Sequence, residues 1–495
     1  MMLDQANMAR WEHPIAIDPT AALPVFLQIA RAIAEDVRRG RLRAGEKLPG
    51  SRTLAGAVGV HRNTVLAAYR ELAAEGWIET RPAGGTFVSN EIGSPLHRDP
   101  RRGQRLEPRL GFDLPPSSLD DPRVPEVPRG TLTLAAGTPD SRLFPTGAIA
   151  RAYRRALELH GATSLGYGDP RGVLPLRKQL GAMLSSLRGL AVDDLLITRG
   201  SQGALDLVAR TLLRPGDVIA VEALGYRPAW GAFQAAGALL VPIPVDEHGL
   251  RVDALAEHAG AVRAVYVTPH HQYPTTATLS PGRRLALLEL ARTRRFAIVE
   301  DDFDFEFHYE GRPVLPLASA DRAGVVVYVG TLSKILAPGV RTGFVVAPAP
   351  LLDRMAALRM VVDRQGDPVV ELAIAELLED GEVQRHARRI RRIYLERRDT
   401  LLEALHAKLA SVVTVDPPGG GMAAWIRVDP SVDVVEWSER SLRAGVAFAP
   451  AKNFAFDGRS RPFARLGFAA LDVRELREAV SRMASALPSK KRRSA

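Results

Sequence analysis

A proline-rich stretch near the N-terminal end is the feature that most restricts how this chain can fold. Eight prolines lie between residues 91 and 130, where seven arginines face seven acidic residues. Proline fixes φ and removes a backbone donor, so a regular helix or strand is disfavoured here. We interpret residues 91–130 as a semi-extended linker, with an irregular loop packed on a domain as the alternative. The stretch therefore predicts separate domains at 20–90 and 131–488, and a basic tail at 489–495.

Length and charge indicate the kind of partner that the chain has. The 495 residues are enough for two domains that each bury a core. The formal net charge is +10, and residues 20–90 alone hold ten basic residues against six acidic ones. A basic balance favours phosphate-rich partners, although it says nothing about the fold.

The sequence lacks the features of cysteine-based sites, of a secretory signal and of a membrane span. It contains no cysteine, which excludes disulfides, zinc–thiolate sites and thiol nucleophiles, and we expect no metal site. Asp4, Glu12 and Asp18 make the N-terminus unlike a secretory signal. No run approaches the ~18 apolar residues that span a bilayer. We therefore expect a cytoplasmic protein without a membrane partner.

The segment 20–90 has the pattern of three helices followed by a hairpin. Residues 24–39 carry an apolar residue at every fourth position, which predicts a helix that stops at Gly40. A second helix begins at Ser51, whose hydroxyl can cap it, and a third runs from His61 to Glu75. Two β-prone runs around a glycine-rich turn, 77–89, then predict a hairpin.

The start of the third helix carries side chains that suit the major groove of DNA. In a helix-turn-helix this first turn meets the base edges and the hairpin forms a wing beside it. Arginine can fork to guanine, and asparagine can pair with adenine. A purely structural three-helix module is the alternative. The predicted DNA contacts are Arg52, His61, Arg62, Asn63 and Thr64 on the helices, and Arg81, Gly84 and Gly85 on the wing.

The same segment resembles the GntR family of winged helix-turn-helix regulators. The resemblance is carried by Leu48–Arg52, Gly59–Val65 and Gly85–Val88, among other residues. It implies a double-stranded DNA operator as partner. Gly50 and His61 stand where the family often has serine, and we expect His61 to weaken the cap of the third helix.

From residue 131 onward the pattern changes to short strands that alternate with longer helices. Apolar, β-rich runs occur at 218–221, 264–268, 297–300 and 325–329. Strands that alternate with helical segments are typical of a mostly parallel sheet covered on both faces. The predicted fold class is therefore α/β for this part of the chain.

Several motifs in this α/β segment have the residue types that pyridoxal 5′-phosphate (PLP) needs: an amine, an acid, phosphate donors and an aromatic face. The run 328–343 contains a Thr-Leu-Ser-Lys sequence, and strand 296–299 leads into the acidic run 300–307. Residues 198–205 join a strand to a helix, whose first N–H groups can hold a phosphate. In their order these motifs, with 222–226, 166–172, 268–275 and 464–468, resemble fold-type I aminotransferases.

The aminotransferase resemblance implies a role for each matching residue. Lys334 would form the Schiff base with PLP, Asp301 would face the pyridine nitrogen, and Tyr226 would stack on the ring. Tyr167 would reach the phosphate of a partner subunit, which implies a homodimer, and Arg465 would hold the carboxylate of an effector. The predicted phosphate ligands are Ser201, Gln202, Thr331, Ser333 and Arg341. His271 and Gln272 are expected near the PLP hydroxyl without an assigned role.

Two positions depart from the aminotransferase pattern. Phe303 replaces a tyrosine whose phenol would hydrogen-bond PLP, and Thr276 replaces a glycine. The missing phenol predicts slow or absent transamination, with PLP binding less affected. We therefore expect at most partial transaminase chemistry and not a physiological enzyme.

Together the two segments resemble the MocR (GabR-like) subfamily of GntR regulators. This implies a winged helix-turn-helix joined to an α/β PLP-dependent transferase domain of fold type I, with a smaller C-terminal α+β subdomain. The leading hypothesis is a transcription regulator that senses PLP, or an amino compound that forms an aldimine with it. An active aminotransferase with an accessory DNA module and a dead fold used only for dimerisation are the alternatives. Lys334 and Asp301 argue against the dead fold.

Overall fold

The computed structural model describes residues 15–18, 21–81, 84–91, 111–113, 127–135 and 137–488. Most of the predicted linker 91–130 and all of the predicted basic tail 489–495 lie outside these residues. The chain divides into two compact units, residues 1–114 and 115–495.

The N-terminal unit consists of three helices and a hairpin, as the sequence predicts. Apolar residues spaced along α1 and α3 meet in one core around Ile29, Leu54 and Val65, which are fully buried. The hairpin strands pair antiparallel, with Ile78 opposite Val88. The elements are α1 (Val25–Arg38), α2 (Ser51–Val58), α3 (Arg62–Ala74), β1 (Ile78–Arg81) and β2 (Gly85–Val88).

The helix caps of this unit differ from the prediction. Ser51 does not cap α2, since the N-cap residue is Gly50 and no side chain caps the helix. The Ser51 hydroxyl instead accepts a hydrogen bond from Nε of Arg62 at 3.2 Å. His61 does cap α3, because its Nδ1 accepts the backbone N–H of Asn63 at 3.2 Å. An imidazole nitrogen can thus replace a hydroxyl as acceptor, and that this cap is weaker than a serine cap stays a prediction.

The second unit is built from alternating helices and strands. Its helices are α4 (Thr146–His160), α5 (Leu174–Arg188), α6 (Gly200–Leu212), α7 (Arg227–Ala235), α8 (Val252–His258), α9 (Pro281–Arg294), α10 (Leu317–Ala320), α11 (Ala349–Val362), α12 (Pro368–Glu379), α13 (Glu382–Leu409), α14 (Val434–Arg443) and α15 (Val473–Ser485). Its strands are β3 (Leu132–Thr133), β4 (Leu196–Arg199), β5 (Val218–Glu222), β6 (Leu239–Ile243), β7 (Val245–Asp246), β8 (Gly249–Leu250), β9 (Val262–Val267), β10 (Ala297–Asp302), β11 (Val326–Thr331), β12 (Thr342–Val346), β13 (Val413–Thr414), β14 (Ala423–Val428), β15 (Val446–Ala447), β16 (Ala449–Pro450) and β17 (Phe463–Gly467).

Seven strands form a central sheet in the order β4-β12-β11-β10-β9-β5-β6. Strand β12 runs antiparallel to both of its neighbours, and the other pairs are parallel. Successive residues of β10 face opposite sides: Val299 joins the core with α6, α7 and α11, whereas Ile298 joins the core with α8 and α9. The predicted mostly parallel sheet with helices on both faces is confirmed. It was visible in the sequence because strands that are buried on both sides have continuous apolar runs.

A smaller subdomain follows the central sheet. Four strands in the order β13-β14-β17-β16 pair antiparallel. Helices α13, α14 and α15 bury their apolar faces against this sheet in a separate core that includes Trp437. The predicted C-terminal α+β subdomain is confirmed. Within the described part of the chain, every helix is too short or too polar to traverse a bilayer.

Candidate functional site

The predicted PLP-binding motifs meet at one edge of the central sheet. Strands β4, β5, β9, β10 and β11 all end at this edge, since all are parallel to one another. Ligands of doubly wound sheets bind outside the carboxyl ends of their strands. The side chains of these motifs therefore lie at the edge of the sheet where a ligand is expected to bind.

Lys334 lies three residues beyond the end of β11, with its amine in a mostly buried position. Nζ donates a hydrogen bond to the carbonyl oxygen of Gly137 at 3.2 Å. Burial lowers the pKa of Lys334, and the nearby Arg465 lowers it further, whereas Asp304 and Asp301 act in the opposite direction. A lowered pKa enlarges the neutral fraction of the amine, which is the nucleophilic form.

Asp301 occupies β10 with one of its carboxylate oxygens left without a partner. Oδ2 accepts the hydroxyl of Tyr266 at 2.7 Å. Oδ1 is buried and has no hydrogen-bond partner among the described residues. Burial raises the pKa of Asp301 to about 7, and the hydrogen bond from Tyr266 opposes that rise. A cationic ring N–H at Oδ1 would satisfy the oxygen and favour the ionised form.

The start of α6 forms the best candidate for a phosphate cradle. The first N–H groups of a helix have no partner within it and attract anions. Gly343 permits β12 to approach this start, because a Cβ there would lie 2.6 Å from the carbonyl carbon of Gly200. Arg341, which is exposed, reaches the same turn and donates from Nη2 to the carbonyl oxygen of Arg199 at 3.0 Å.

Four predicted phosphate ligands lie at two places: Thr331 and Ser333 at the end of β11, and Ser201 and Gln202 at the start of α6. The Thr331 hydroxyl donates to the Ser333 hydroxyl at 3.0 Å and accepts the backbone N–H of Ser333 at 3.1 Å. Ser201 is half-buried in the first turn of α6. Nε2 of Gln202 already donates to the carbonyl oxygen of Pro228 at 2.8 Å. We therefore expect the backbone N–H of Gln202, and not its side-chain amide, to be available for a phosphate.

Aromatic rings line the site at the end of β5 and β9. Tyr226 is half-buried and lies edge-on to Tyr273, with ring centroids 5.5 Å apart. Burial raises the pKa of Tyr226 to about 12. Phe303, the departure from the family pattern, also meets the Tyr273 ring edge-on, at 6.0 Å. Sequence reasoning gave Tyr273 no role, although a tyrosine inside a motif assigned to the site was a usable signal.

Arg465 extends from β17 of the smaller subdomain toward the same amine. It is buried, and its Nε and Nη1 have no hydrogen-bond partner in the described residues. Its guanidinium lies 4.7 Å from the centre of the Tyr273 ring. A Cβ on Gly137 would lie 2.8 Å from Nη2, so glycine there leaves room for the guanidinium. Burial lowers the pKa of Arg465, and a carboxylate would offset this cost of burying the cation.

These residues fit PLP. An acid with a buried unpartnered oxygen, an amine with a lowered pKa and a helix start reached by an arginine correspond to the nitrogen, aldehyde and phosphate of the cofactor. Tyr167 is not brought into this set: it is 82% exposed, and the guanidinium of Arg364 lies 4.1 Å from its ring centre.

The loop after β9 holds the two residues that received no role. Gln272 is occupied with the loop itself: its Nε2 donates to the carbonyl oxygen of Leu224 at 2.7 Å, and its Oε1 accepts the Thr275 hydroxyl at 2.6 Å. His271 pairs with Asp304, with Nδ1 2.8 Å from Oδ1. Thr276 has φ of +65°, the left-handed conformation that the replaced glycine would adopt without strain.

The predicted DNA contacts lie on the surface of the N-terminal unit. Six of them are exposed: Arg52, His61, Arg62, Asn63, Arg81 and Gly85. Thr64 and Gly84 are half-buried. Pro82 and Ala83, which follow β1 in the sequence, lie outside the described residues. The arrangement leaves the first turn of α3 accessible to a groove.

Two basic side chains at the wing have contacts that the sequence did not reveal. Arg81 donates from Nε to Glu79 at 3.1 Å and covers the Phe87 ring at 4.6 Å. Lys47 lies beside the wing, where a Cβ on Gly85 would be 2.9 Å from its Cε. Lys47 was absent from the predicted contacts, because its backbone pairing with Phe87 depends on tertiary structure.

Comparison with known families gives two matches along the chain. Residues 130–483 match class I and II aminotransferases, and residues 26–88 match the bacterial regulatory proteins of the gntR family. These ranges coincide with the two units whose sites are described above.

Similar proteins fall into two groups. The chain is 31% identical to the probable rhizopine catabolism regulatory protein MocR of Rhizobium meliloti, over 95% of both chains. It is 32% identical to the pyridoxine biosynthesis transcriptional regulator PdxR of Corynebacterium glutamicum, over 85% of this chain and 87% of that protein. The structure of LysN, the α-aminoadipate aminotransferase of Thermus thermophilus, complexed with N-(5′-phosphopyridoxyl)-L-leucine, matches with a TM-score of 0.67 and 31% identity, over 72% of this chain and 92% of that one.

Proposed function

This chain belongs to the MocR (GabR-like) subfamily of GntR transcription regulators, and from that membership we propose which residues read DNA, hold the cofactor and receive an effector. The protein is a DNA-binding transcription regulator whose aminotransferase-like domain has PLP as its cofactor. The observation that carries the residue assignments is the convergence of Lys334 and Arg465 on Gly137, with Asp301 close enough to act on the Lys334 amine.

PLP supplies an aldehyde for covalent capture of an amine and a ring that withdraws electrons. Lys334 provides the resident amine, and its burial keeps a neutral fraction available. Asp301 holds the ring nitrogen through its unpartnered Oδ1. Tyr226 packs on the ring, while the phosphate is held by Arg341, Thr331 and Ser333 and by the N–H groups of Ser201 and Gln202 at the start of α6.

The proposed effector is a small amino compound with a carboxylate. Its amine competes with Lys334 for the cofactor, while its carboxylate binds the unpartnered donors of Arg465. This pairing selects an amino acid or a related amino acid derivative over a simple amine, because a buried guanidinium gains most from an anion.

A homodimer is proposed from the surface around Tyr167. Leu159, Leu165 and Val361 are exposed to 69%, 73% and 86%. Gly168, next to Tyr167, donates its N–H to Gln365, four residues beyond Val361, so the chain segments that carry Leu165 and Val361 meet near Tyr167. Clusters of exposed apolar residues mark interaction surfaces, and a second copy would cover this one.

The DNA-reading role is assigned to the first turn of α3, with backbone contacts from the wing. Arg62 and Asn63 read base edges, Arg52, His61 and Thr64 support them, and Arg81 with Gly84 and Gly85 lies along the neighbouring backbone. Arg81 must exchange its contact with Glu79 for a phosphate.

Regulation is favoured over metabolic transamination by two observations. The similar regulators align over nearly the whole chain, whereas the similar aminotransferases cover about 72% of it. Phe303 also removes the phenol that an aminotransferase would use. We expect turnover well below the ~1–10³ s⁻¹ of ordinary enzymes, measured with a panel of amino donors and keto acids.

Titrating operator DNA with PLP-loaded protein, with and without amino compounds, tests the proposal. One amino acid should change both the visible spectrum and the affinity for DNA, and Arg465→Gln should abolish both changes. An effector that shifts the spectrum equally in Arg465→Gln would contradict the role of Arg465. Equal DNA affinity with and without every compound that alters the spectrum would contradict sensing.

A further inference from the structure

Three histidines form a cluster next to, but outside, the proposed cofactor residues. His270 and His271 follow β9, and His308 follows the acidic segment after β10. One ring nitrogen of each lies within 4.8 Å of a ring nitrogen of the other two. The rings of His270 and His271 are 4.3 Å apart, and those of His270 and His308 are 6.3 Å apart.

Two of these three histidines leave ring nitrogens without a hydrogen-bond partner among the described residues. His270 is 5% exposed, yet neither of its ring nitrogens has a hydrogen-bond partner in the described residues. Nε2 of His308 is likewise buried and unpartnered in that part of the chain. Buried polar groups without a partner cost free energy, so the unpartnered nitrogens of His270 and His308, which converge with a nitrogen of His271, point to a shared ligand.

The surroundings of His271 resemble the support of a metal-binding imidazole. Its Nδ1 lies 2.8 Å from Oδ1 of Asp304, and such a carboxylate orients the ring and strengthens the other nitrogen as a ligand. The ring packs closely against the backbone of Gly420, where a Cβ would lie 2.2 Å from Nε2. Any larger residue there would displace the ring.

The charges around His270 favour a cation. Asp302 and Asp304 are the acidic groups that act on it electrostatically, together with the two neighbouring imidazoles. Arg188 lies close by, with its guanidinium 4.5 Å from the Phe305 ring. It is already paired with Glu306 and Asp302. A bound cation would therefore meet the carboxylates of Asp302 and Asp304, while Arg391 acts on His308 as a positive charge nearby.

We propose that His270, His271 and His308 bind a divalent transition-metal ion, with Zn²⁺ as the ion that three imidazoles suit best. Three histidines with a fourth open position are a common zinc ligand set, and carboxylate support of one histidine is typical of it. The inference goes against the sequence-based expectation of no metal site, which relied on the absence of cysteine.

Metal analysis of the full-length, PLP-loaded protein tests this site. The protein is treated with EDTA, dialysed against limiting ZnCl₂ and analysed for zinc, and its affinity is measured by calorimetry. We expect one Zn²⁺ per chain, loss of that zinc in His270→Gln and His308→Gln, and affinity about 10–100-fold lower in Asp304→Asn. His258→Gln, a matched change at an exposed histidine on α8, should keep the zinc.

The visible spectrum of bound PLP and the thermal midpoint report whether each variant is folded. Wild-type protein that takes up no stoichiometric zinc overturns the proposal, whatever the variants do. The proposal also fails if His270→Gln and His308→Gln retain as much zinc as wild type, or if His258→Gln loses as much as they do. None of these outcomes depends on DNA binding or on an effector, so the regulator assignment is tested separately.

Discussion

The two units of this protein place their functional side chains in opposite environments. Arg62 and Asn63 stand exposed at the start of α3, on a small core of three helices and a hairpin. Asp301 and Arg465 are buried in the larger unit, and each has polar atoms without a partner among the described residues. A surface that reads DNA can stay solvated until its ligand arrives, whereas a buried site depends on its ligand to compensate for burial. We therefore expect substitutions at the exposed DNA-reading residues to change DNA binding, and substitutions at the buried site to change stability as well as ligand binding.

The largest effect is expected from Lys334→Ala. The amine is the only group of this side chain that can bond covalently to the cofactor. Without it, the covalent link should be lost completely and not merely weakened. Purified wild type should be yellow, and the variant should lose the visible band that requires Lys334. Lys408→Ala, at an exposed lysine on α13, serves as the control. An unchanged visible spectrum in Lys334→Ala would remove the assignment.

Leu54→Ala should break the smaller unit while leaving the larger one intact. Leu54 is fully buried in the core of three helices. Removing a buried leucine side chain costs about 2–5 kcal/mol, which is a large share of the stability of so small a core. Thermal melting followed by circular dichroism should lose an early transition, and binding to DNA should fall, while the PLP spectrum is retained. If the PLP spectrum collapses as well, the two units do not fold independently.

How far the sequence predicts each unit depends on the kind of interaction. The elements of the N-terminal unit were predictable, because apolar spacing and Gly59, with φ of +70°, are local features. The cap of α2 was not, since its N-cap is Gly50 and the Ser51 hydroxyl accepts a hydrogen bond from Arg62 of another helix. Lys47 was missed for the same reason: its place beside the wing comes from tertiary pairing.

In the larger unit the motifs located the residues of the site but not their hydrogen bonds. The positions of Asp301 near the end of β10 and of Lys334 just after β11 follow from the strand pattern, since these strands are parallel neighbours. The occupied amide of Gln202 and the ring contact between Tyr273 and Phe303 do not, because each joins segments far apart in sequence. The histidine cluster was also invisible, since it unites residues from two loops.

Arg62→Ala and Asn63→Ala should reduce recognition of DNA without touching the cofactor. Removing a side chain that reads a base should cost about 1–3 kcal/mol and relax the preference at one position, whereas removing a phosphate-binding side chain weakens binding to all sequences alike. Gel-shift titrations at two salt concentrations separate these cases, with absorbance spectra run beside them. Arg70→Ala, an exposed change near the middle of α3, is the control. Wild-type discrimination in both variants would mean that another element reads the bases.

The smallest effect concerns pH and the cost of burying Asp301 before the cofactor binds. In the PLP-free protein, burial raises the pKa of Asp301 from 3.8 to about 7. A carboxyl whose pKa is raised on folding stabilises the protein below its unfolded pKa, and this stability is lost as pH rises through the folded pKa. Asparagine does not titrate. Asp301→Asn should therefore gain stability relative to wild type between pH 5 and pH 8, by on the order of 1–2 kcal/mol.

The free energy of unfolding is measured in urea for PLP-free wild type and Asp301→Asn at pH 5 and pH 8. The control is Asp140, a buried carboxyl whose pKa is lowered and not raised. Burial acts to raise the pKa of Asp140, but hydrogen bonds from Arg142 and Arg397 lower it overall. Its stabilising effect is present above the unfolded pKa and is lost only as pH falls through the lower folded value. Asp140→Asn should thus be destabilised equally at pH 5 and pH 8. If Asp301→Asn also gives equal differences at the two pH values, the carboxylate of Asp301 is already compensated without PLP, and its unpartnered Oδ1 would not be evidence for a cationic ring nitrogen.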